Sequence, residues 1–303
     1  MNGIVLFLNG ARGVAVAGAL ARAGHGVVAA VVPEGRPSND PIMAAWQTRK
    51  CEIIAAADVN EDNFVHRLTA LSPKLLLIAG FPQILKAPVR AIARHGAINL
   101  HAGRVPEYRG GSPLNWQIIN GEASAGISIL AVDDGIDTGD VMARDEVPIG
   151  PTDTIADLHE RANVAFAAMT VRVIADLERD ASIPERQDST RAIYWHQRNR
   201  EDGRIFWDRA TAREVHDLVR AVGHPYPGAF CFWGSRRVTI LAASVPQDVI
   251  RGMPGRICHI QGRGPFVVCS DRAILLDKFE IDGAAQTRLP AGIHFTPWPV
   301  IEL

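Results

Sequence analysis

The N-terminal stretch IVLFLNGARGVAVAGALARAGHGVVAAVV, residues 4–32, decides the fold class of this chain. It reads as an apolar strand, a turn that carries glycine, a helical pattern over residues 13–23 and a second apolar strand. Strands without polar alternation are typical of a sheet that is covered on both faces. The stretch therefore predicts a βαβ unit at the start of an open, mostly parallel sheet.

The same alternation of strand and helix patterns continues toward residue 180. Strands are predicted at 74–80, 97–100 and 127–134, and helices at 62–71, 87–94 and 154–180. The last helix begins at a capping box, in which Thr154 precedes Asp157 by three residues. We therefore predict an α/β fold, a Rossmann-like mostly parallel sheet with helices on both faces, over residues 1–185.

The character of the chain changes after residue 180. Residues 186–204 are polar, without sustained periodicity, and are predicted to be a surface linker. A helical pattern at 212–222 is followed by short β-like runs separated by glycine, proline and aspartate. Residues 205–303 are therefore predicted to form a small C-terminal β-barrel domain.

Composition excludes several classes of protein. The chain has 303 residues, 32 Lys and Arg against 33 Asp and Glu, and no apolar run near the about 20 residues that span a bilayer. Its net charge of −1 gives no overall field toward nucleic acid or an anionic membrane. The four cysteines are scattered, without a C-x-x-C pair or a secretory leader, which predicts reduced thiols in the cytoplasm and no structural metal.

Two polar clusters stand where an open α/β sheet places its chemistry. Asn99 and His101 end the strand AINLH, and strand geometry points both side chains to one side while Leu100 enters the core. The loop DDGIDTGD, residues 133–140, follows a later strand. The alternatives are a structural histidine and aspartates that cap turns; the loop lacks the spacing of a calcium site.

Four segments carry a resemblance to a known family. They are LLLIAGFPQIL (75–85), AINLH (97–101), PEYRGGSPLNWQIINGE (106–122) and ISILAVDDGIDTGD (127–140). Together they resemble the folate-dependent formyltransferases. The stretch WDRATAREVHDLVRAVGHPYPGAF, residues 207–230, is similar to the family members that add an OB-like β-barrel, so the resemblance covers most of the chain.

The resemblance implies that the enzyme uses N10-formyltetrahydrofolate as formyl donor, needs no metal, and has Asn99, His101 and Asp137 as its catalytic trio. An amine that attacks a formyl carbon creates a negative oxygen and releases a proton. The amide of Asn99 can donate to that oxygen, and His101 can take the proton near neutral pH. Asp137 would orient the imidazole and stabilise its charged form.

Further site residues follow from the same resemblance. The folate-binding positions fall on two segments: Gly80, Phe81, Pro82 and Ile84 after one strand, and Asp133, Gly135 and Asp140 in the aspartate loop. The substrate-binding positions fall on Arg104, Tyr108, Arg109 and Trp116. One departure is visible, because the family pattern Ser-Leu-Leu before the proline is here Gly103-Arg104-Val105. An arginine at a turn that forms a pocket is expected to change what packs there.

The acceptor amine is predicted to belong to a nucleotide-linked amino sugar, for polysaccharide or lipid decoration. The SPLNW and NGE segments resemble enzymes of that type, residues 205–303 carry only a small basic surplus, and the loop 32–41 is not basic. The alternative is methionyl-tRNA formyltransferase, the one reading that requires a nucleic-acid partner. A formyltetrahydrofolate hydrolase ranks lower, since no regulatory domain is expected before residue 1, and the homo-oligomeric state, a homodimer included, is left open.

A dinucleotide-binding reductase is the remaining alternative. Gly10, Gly13 and Gly18 lie near the first strand, with Glu34 after the second. Their spacing is not G-x-G-x-x-G, so the signal for a nicotinamide cofactor is weak.

Overall fold

A computed structural model describes residues 1–35, 51–290 and 292–300 of the chain. Contacts within it group the residues into two compact units. Unit 1 contains residues 1–113, 125–147 and 159–195, and unit 2 contains residues 114–124, 148–158 and 196–303. The domain boundaries predicted at 185 and 205 stay a prediction. Most of the loop 32–41, whose charge was considered above, lies outside the described residues.

The central sheet belongs to unit 1 and has seven strands. In chain order the strands of this part of the molecule are β1 (Asn2–Leu8), β2 (Gly26–Pro33), β3 (Glu52–Ala56), β4 (Leu75–Ala79), β5 (Ala97–His101), β6 (Arg109–Gly110), β7 (Ser124–Ala131), β8 (Val141–Pro148) and β9 (Tyr194–Trp195). The spatial order in the sheet is β3-β2-β1-β4-β5-β7-β8. Strands β6 and β9 pair with each other in a separate two-stranded ribbon.

Five neighbouring strands of the sheet are parallel, and the next one reverses direction. Strand β4 pairs in parallel with β1 and β5, whereas β7 runs antiparallel to β5, with His101 opposite Ser128 and Ile98 opposite Ala131. The end of β7 therefore lies beside the start of β5, and the aspartate loop that follows β7 must turn back to reach the end of β5. The predicted mostly parallel sheet is confirmed.

Both faces of the sheet are buried, as the apolar strands predict. The side chains of Val5 and Phe7 belong to one apolar cluster that includes helices on that face, with Phe64 and Val89 among its members. The alternating residues of β1 on the opposite face are equally inaccessible to solvent. The α-helices of the described residues are α1 (Gly10–Arg22), α2 (Asp62–Ala70), α3 (Ala87–Arg90), α4 (Pro113–Ile119), α5 (Ile155–Glu178) and α6 (Ala212–Val222).

Unit 2 contains an antiparallel sheet that closes on itself. Its strands are β10 (Ala229–Trp233), β11 (Arg236–Ser244), β12 (Ile257–Ile260), β13 (Arg263–Val268), β14 (Ala273–Ile281) and β15 (Ala284–Gln286). The order is β10-β11-β14-β13-β12, and β15 adds to β14. The two edges meet one short segment, because Thr296 bridges Phe232 of β10 and His294 bridges Arg256 just before β12. This closure confirms the predicted barrel.

The polar segment that follows α5 lies on the surface and is held at two places. Glu185 forms both hydrogen bonds of an antiparallel bridge with Val141 of β8, at 2.8 and 2.9 Å. Nine and ten residues later, Tyr194 and Trp195 of β9 pair with the two residues of β6. In the described part of the chain, no helix is long and apolar enough to cross a membrane.

Candidate active site

Strand β5 supplies the two polar side chains on which the sequence analysis depends. Leu100 is 2% exposed, so it enters the core, while Asn99 is half-buried and His101 is 6% exposed. No described residue forms a hydrogen bond with the amide of Asn99. The amide is therefore available to a bound reactant.

The imidazole of His101 is held at both nitrogens. Nδ1 lies 3.3 Å from Oδ1 of Asp137, and Nε2 lies 2.6 Å from the carbonyl oxygen of Tyr108. Both partners accept hydrogen bonds, whereas a neutral imidazole carries a single N–H. When the neutral ring donates to Asp137 from Nδ1, Nε2 carries a lone pair and can accept a proton.

Asp137 reaches His101 from a strained position. Its φ of 53° lies in the left-handed region, which is uncommon for a residue other than glycine. Its second carboxylate oxygen accepts a hydrogen bond from the Gly110 amide at 2.9 Å. Gly110 itself has a φ of 93°, and a Cβ there would collide with the carbonyl of Trp195. Glycine is therefore required at this position by the close approach of β9, and its amide is the one that meets Asp137.

Two loops, one after β4 and one after β7, contain the predicted folate-binding positions. Gly80 has a φ of 75°, and Phe81 packs edge-on against Phe7 with ring centroids 5.4 Å apart. Ile84 is 65% exposed, although it is a large apolar residue. Beside Gly80, the buried Oδ1 of Asn9 has no hydrogen-bond partner among the described residues. This region therefore offers apolar surface and one unsatisfied acceptor.

The aspartate loop is shaped mainly by its own side chains. Oδ1 of Asp133 accepts hydrogen bonds from the hydroxyl of Thr138 at 2.6 Å and from the amide of Gly135 at 3.1 Å. The carbonyl of Asp140 accepts from the Ala131 amide at 2.9 Å. The turn-capping alternative therefore describes Asp133 well, while Asp137 is the aspartate that contacts the histidine.

Arg109 and Tyr108, both predicted to bind substrate, lie inside unit 1. Arg109 is 2% exposed and donates to the side-chain oxygen of Gln187 from Nε at 3.0 Å and from Nη2 at 2.8 Å. The Tyr108 ring stacks on Trp195, with centroids 5.6 Å apart and planes inclined by 11°. The structure thus gives both side chains partners within the protein, and direct contact with substrate stays a prediction.

The departure at Gly103-Arg104-Val105 has a clear steric consequence. A Cβ on Gly103 would collide with the Tyr108 carbonyl and with the His101 ring, so this geometry has no space for a serine side chain. Arg104 is half-buried, packs its Cβ over Gly126, and pairs with Glu146 at 3.5 Å. The fourth predicted substrate residue, Trp116, belongs to unit 2, where its indole donates to the carbonyl of His196 at 3.1 Å.

Two residues of the site were not predicted from the sequence. Gln187 lies in the predicted linker, and its side-chain amide donates to the backbone carbonyls of Asp137 and Gly139 at 2.9 and 2.6 Å. Arg12, near the start of α1, donates to the carbonyl of Leu100 at 3.3 Å and lies over the ring of Phe166. In the sequence, Gln187 is a lone glutamine in a polar stretch, and no motif or periodicity there indicates a role in the site.

Metal chemistry has no visible ligand set in the part of the chain that the structure describes. Over residues 1–35, 51–290 and 292–300, no three His, Cys, Asp or Glu side chains converge in a way that could hold an ion. All four cysteines are free thiols. Burial raises the pKa of the Cys269 thiol to about 12, which keeps that thiol protonated and unreactive.

The fold and the family matches define a class of enzyme. Residues 16–174 match the formyl transferase family, and residues 198–290 match the C-terminal domain of formyl transferases. The chain belongs to this family. It is an N-formyltransferase that uses N10-formyltetrahydrofolate, as the resemblance implied.

The relatives narrow the family further. The chain is 34% identical over 280 residues to a methionyl-tRNA formyltransferase of Anaeromyxobacter dehalogenans, covering 89% of each protein. It is 31% identical over 286 residues to the methionyl-tRNA formyltransferase of Geobacter sulfurreducens, covering 90% of this chain and 88% of the relative. WlaRD, a sugar 3N-formyl transferase solved with dTDP and 5-N-formyl-THF, shares the fold, with a TM-score of 0.69, 16% identity, and coverage of 95% of this chain and 99% of that one.

These relatives correct the predicted acceptor. The assignment of a nucleotide-linked amino sugar is wrong, because the relatives at 29–34% identity over about 90% of the chain are methionyl-tRNA formyltransferases. The assignment relied on two short segments and on a summed charge. A sum cannot report where the arginines cluster, and segments beside the site do not define the whole acceptor surface.

Proposed function

We propose that this enzyme transfers the formyl group of N10-formyltetrahydrofolate to the α-amine of methionyl-tRNA. The observation that carries the proposal is the identity with methionyl-tRNA formyltransferases, which extends over both the catalytic region and the C-terminal region. Because the likeness covers unit 2 as well, it includes the part of the chain in which an acceptor surface would differ between enzymes. A cytoplasmic location follows from this acceptor, and the free thiols agree with it.

Asn99 provides the electrostatic step of the proposed reaction. Attack of an amine on a formyl carbon moves negative charge onto the formyl oxygen. The Asn99 amide, which no described residue occupies, donates a hydrogen bond to that oxygen as the charge develops. Because Asn99 lies on a strand inside the sheet, its backbone position is set by the fold.

His101 and Asp137 handle the proton. The attacking group is the neutral amine, which loses one proton as its bond to the formyl carbon forms, and Nε2 of His101 accepts that proton once it leaves the Tyr108 carbonyl. The bond between the formyl carbon and N10 of the donor then breaks, and one proton goes to the leaving N10, so the protons balance. Asp137 keeps the other nitrogen protonated and offsets the positive charge that the ring gains. Its second oxygen accepts a hydrogen bond from the Gly110 backbone N–H, which fixes the direction of the carboxylate.

The residues present fit the formyl donor. A flat pteridine ring has apolar faces and polar N–H groups, which match the exposed Ile84 and the unsatisfied Asn9 oxygen. The segment 80–84 and the loop 133–140 would hold the donor, which supplies the activated one-carbon unit. The cofactor positions predicted from the sequence lie on these two segments.

An arginine–aromatic cluster in unit 2 supports an RNA acceptor. We use this name for Arg204, Arg209, Arg237, Phe206, Phe230 and Trp298. Arg237 lies 3.5 Å from the centroid of the Phe230 ring, Arg204 lies 4.0 Å from that of Trp298, and Trp298 is 59% exposed. Burial, together with the charges of Arg200 and Arg204, lowers the pKa of Arg237. Clustered cations beside aromatic faces suit a phosphate backbone with exposed bases.

The test is a direct assay of the acceptor. The enzyme is incubated with N10-formyltetrahydrofolate and methionyl-tRNA. The ester bond to the tRNA is then hydrolysed, and the mass of the released amino acid is measured by mass spectrometry. We expect the mass gain of one formyl group on methionine. The same tRNA without methionine and a dTDP-linked amino sugar are the parallel acceptors, and Asn99→Ala is the matched inactive enzyme. Formyl transfer to the sugar nucleotide, with none to methionyl-tRNA, would overturn the proposal.

A further inference from the structure

Gln187 connects the catalytic aspartate loop to a buried arginine. Its side-chain NH₂ donates both hydrogens to the loop, to the carbonyl of Asp137 at 2.9 Å and to that of Gly139 at 2.6 Å. Its side-chain oxygen accepts two hydrogen bonds from Arg109, at 3.0 and 2.8 Å. Every polar group of the amide is thus used, and the polarity of each partner fixes which end is oxygen.

Arg109 is itself fixed from a third direction. Its Nη1 donates to the hydroxyl of Tyr194 at 3.0 Å, and its guanidinium lies 5.5 Å from the centroid of that ring. The backbone of Arg109 also pairs with β9, since its amide donates to the carbonyl of Ile193 at 3.1 Å. At 2% exposure, the guanidinium cannot move without breaking these contacts.

The loop that Gln187 holds is one that needs support. Asp137 keeps a φ of 53°, a left-handed conformation that is strained for a residue with a Cβ and persists only when surrounding contacts impose it. The carboxylate then has to meet two targets at once, the His101 ring at 3.3 Å and the Gly110 amide at 2.9 Å. A small rotation of the loop would lose one of them.

From this network we infer that Gln187 is a positioning residue for catalysis: it fixes the Asp137 loop so that the carboxylate orients His101. The inference rests on the catalytic roles proposed for His101 and Asp137, and it is independent of which amine is formylated. Arg109 acts through Gln187. The role explains why an arginine next to the active site is buried and directed away from solvent.

The inference makes a specific kinetic prediction. Gln187→Leu keeps the volume of the side chain and removes all four hydrogen bonds. We expect kcat to fall by about 10- to 100-fold, because misplacement of a catalytic group by about 1 Å has effects of this size. The KM for N10-formyltetrahydrofolate should change much less. Gln286→Leu, at a half-buried barrel position with one 3.4 Å hydrogen bond, is the matched control and should leave turnover unchanged.

A double-mutant cycle separates positioning from simple loss of stability. If Gln187 acts through Asp137, Gln187→Leu should have almost no further effect on kcat in an Asp137→Asn background. An equal loss in both backgrounds, or a loss matched by a collapse of the melting temperature, would overturn the inference. If Gln187→Leu fails to fold, Gln187→Glu, which keeps the Arg109 contact but has no N–H donor, gives the same cycle.

The acceptor in these assays is methionyl-tRNA. A wild-type enzyme that is inactive with methionyl-tRNA counts against the proposed acceptor and leaves Gln187 to be judged with whichever amine the wild type formylates. An active wild type with additive Gln187 and Asp137 effects counts against the positioning role alone. The two failures are therefore distinguishable.

Discussion

Two regions of the molecule place polar groups in opposite ways. One is the catalytic region of unit 1, by which we mean His101, Asp137, Gln187 and Arg109, and the other is the arginine–aromatic cluster of unit 2. In the catalytic region, polar side chains pair through directed contacts: His101 pairs with Asp137, and Arg109 with Gln187. In the cluster, cations lie over aromatic rings and close to one another, and the buried Nη2 of Arg237 has no hydrogen-bond partner among the described residues.

The two arrangements suit different tasks. One-to-one hydrogen bonds in a buried setting fix orientation, which is what a chemical step requires. Like charges held together on flat apolar rings create a field and a stacking surface, which is what attraction of a polyanion requires. Changes in the first region should therefore lower kcat, and changes in the second should raise KM and alter the response to salt.

The largest effect is expected from removing the imidazole. His101→Ala should lower kcat by about 10²- to 10⁴-fold, because the proposed base for the attacking amine is lost. Single-turnover formylation of methionyl-tRNA at neutral pH measures the chemical step. A variant that keeps more than half of the wild-type rate would contradict the role of His101 as the base. It would also contradict the expectation that changes in the catalytic region lower kcat.

Removal of the amide donor should have the next largest effect. Asn99→Ala is expected to lower kcat by about 10²- to 10³-fold, the usual effect of deleting one donor to a developing oxyanion. Because the amide has no partner among the described residues, the melting temperature should stay near that of the wild type. Equal losses in kcat and in affinity for the formyl donor would contradict a role confined to the transition state.

The arginine–aromatic cluster should respond in KM. Arg209→Ala and Arg237→Ala are each expected to raise the KM for methionyl-tRNA by about tenfold at low salt and to reduce the slope of log KM against log salt by about one. The matched control is Arg263→Ala, since Arg263 is an exposed barrel arginine paired with Asp248 at 3.1 Å. A fall in kcat at unchanged KM would contradict the division of roles.

The smallest effect on turnover is expected from His159 in unit 1, which should act on the pH dependence of stability. Burial, and then the charge of Arg12, lower the pKa of His159 from 6.5 to about 4. The unfolded chain therefore binds a proton between these pH values that the folded chain does not. The free energy of unfolding should fall as the pH drops through this window, by up to about 3 kcal/mol.

Denaturant unfolding at several pH values measures this dependence, and His159→Gln should flatten it between pH 6.5 and 4. Since His159 belongs to unit 1, the acid sensitivity should appear in the unfolding of that unit. A His159→Gln variant whose stability still falls as steeply would assign the acid sensitivity to other groups.

Much of the fold could be predicted because its signals are local. The apolar runs of β1 and β2 and the capping box at Thr154 and Asp157 depend on neighbours in sequence, and the capping hydrogen bonds are present in the structure at 2.8 and 3.5 Å. Strands β3 and β8 were not predicted, because one is a short edge strand and the other is largely polar and exposed. Their pairing partners, not their own residues, make them strands.

Local sequence patterns were enough to predict the strand that carries Asn99 and His101, the aspartate loop and the family, because period-two alternation and motif spacing act over a few residues. They could not show that β7 runs antiparallel to β5, or that the loop after β7 turns back to set Asp137 beside His101; the folded structure shows both. It also decided that Gln187, fifty residues away, supports that loop. Such contacts depend on strand direction and on close approach between distant segments, and neither quantity is encoded in local pattern.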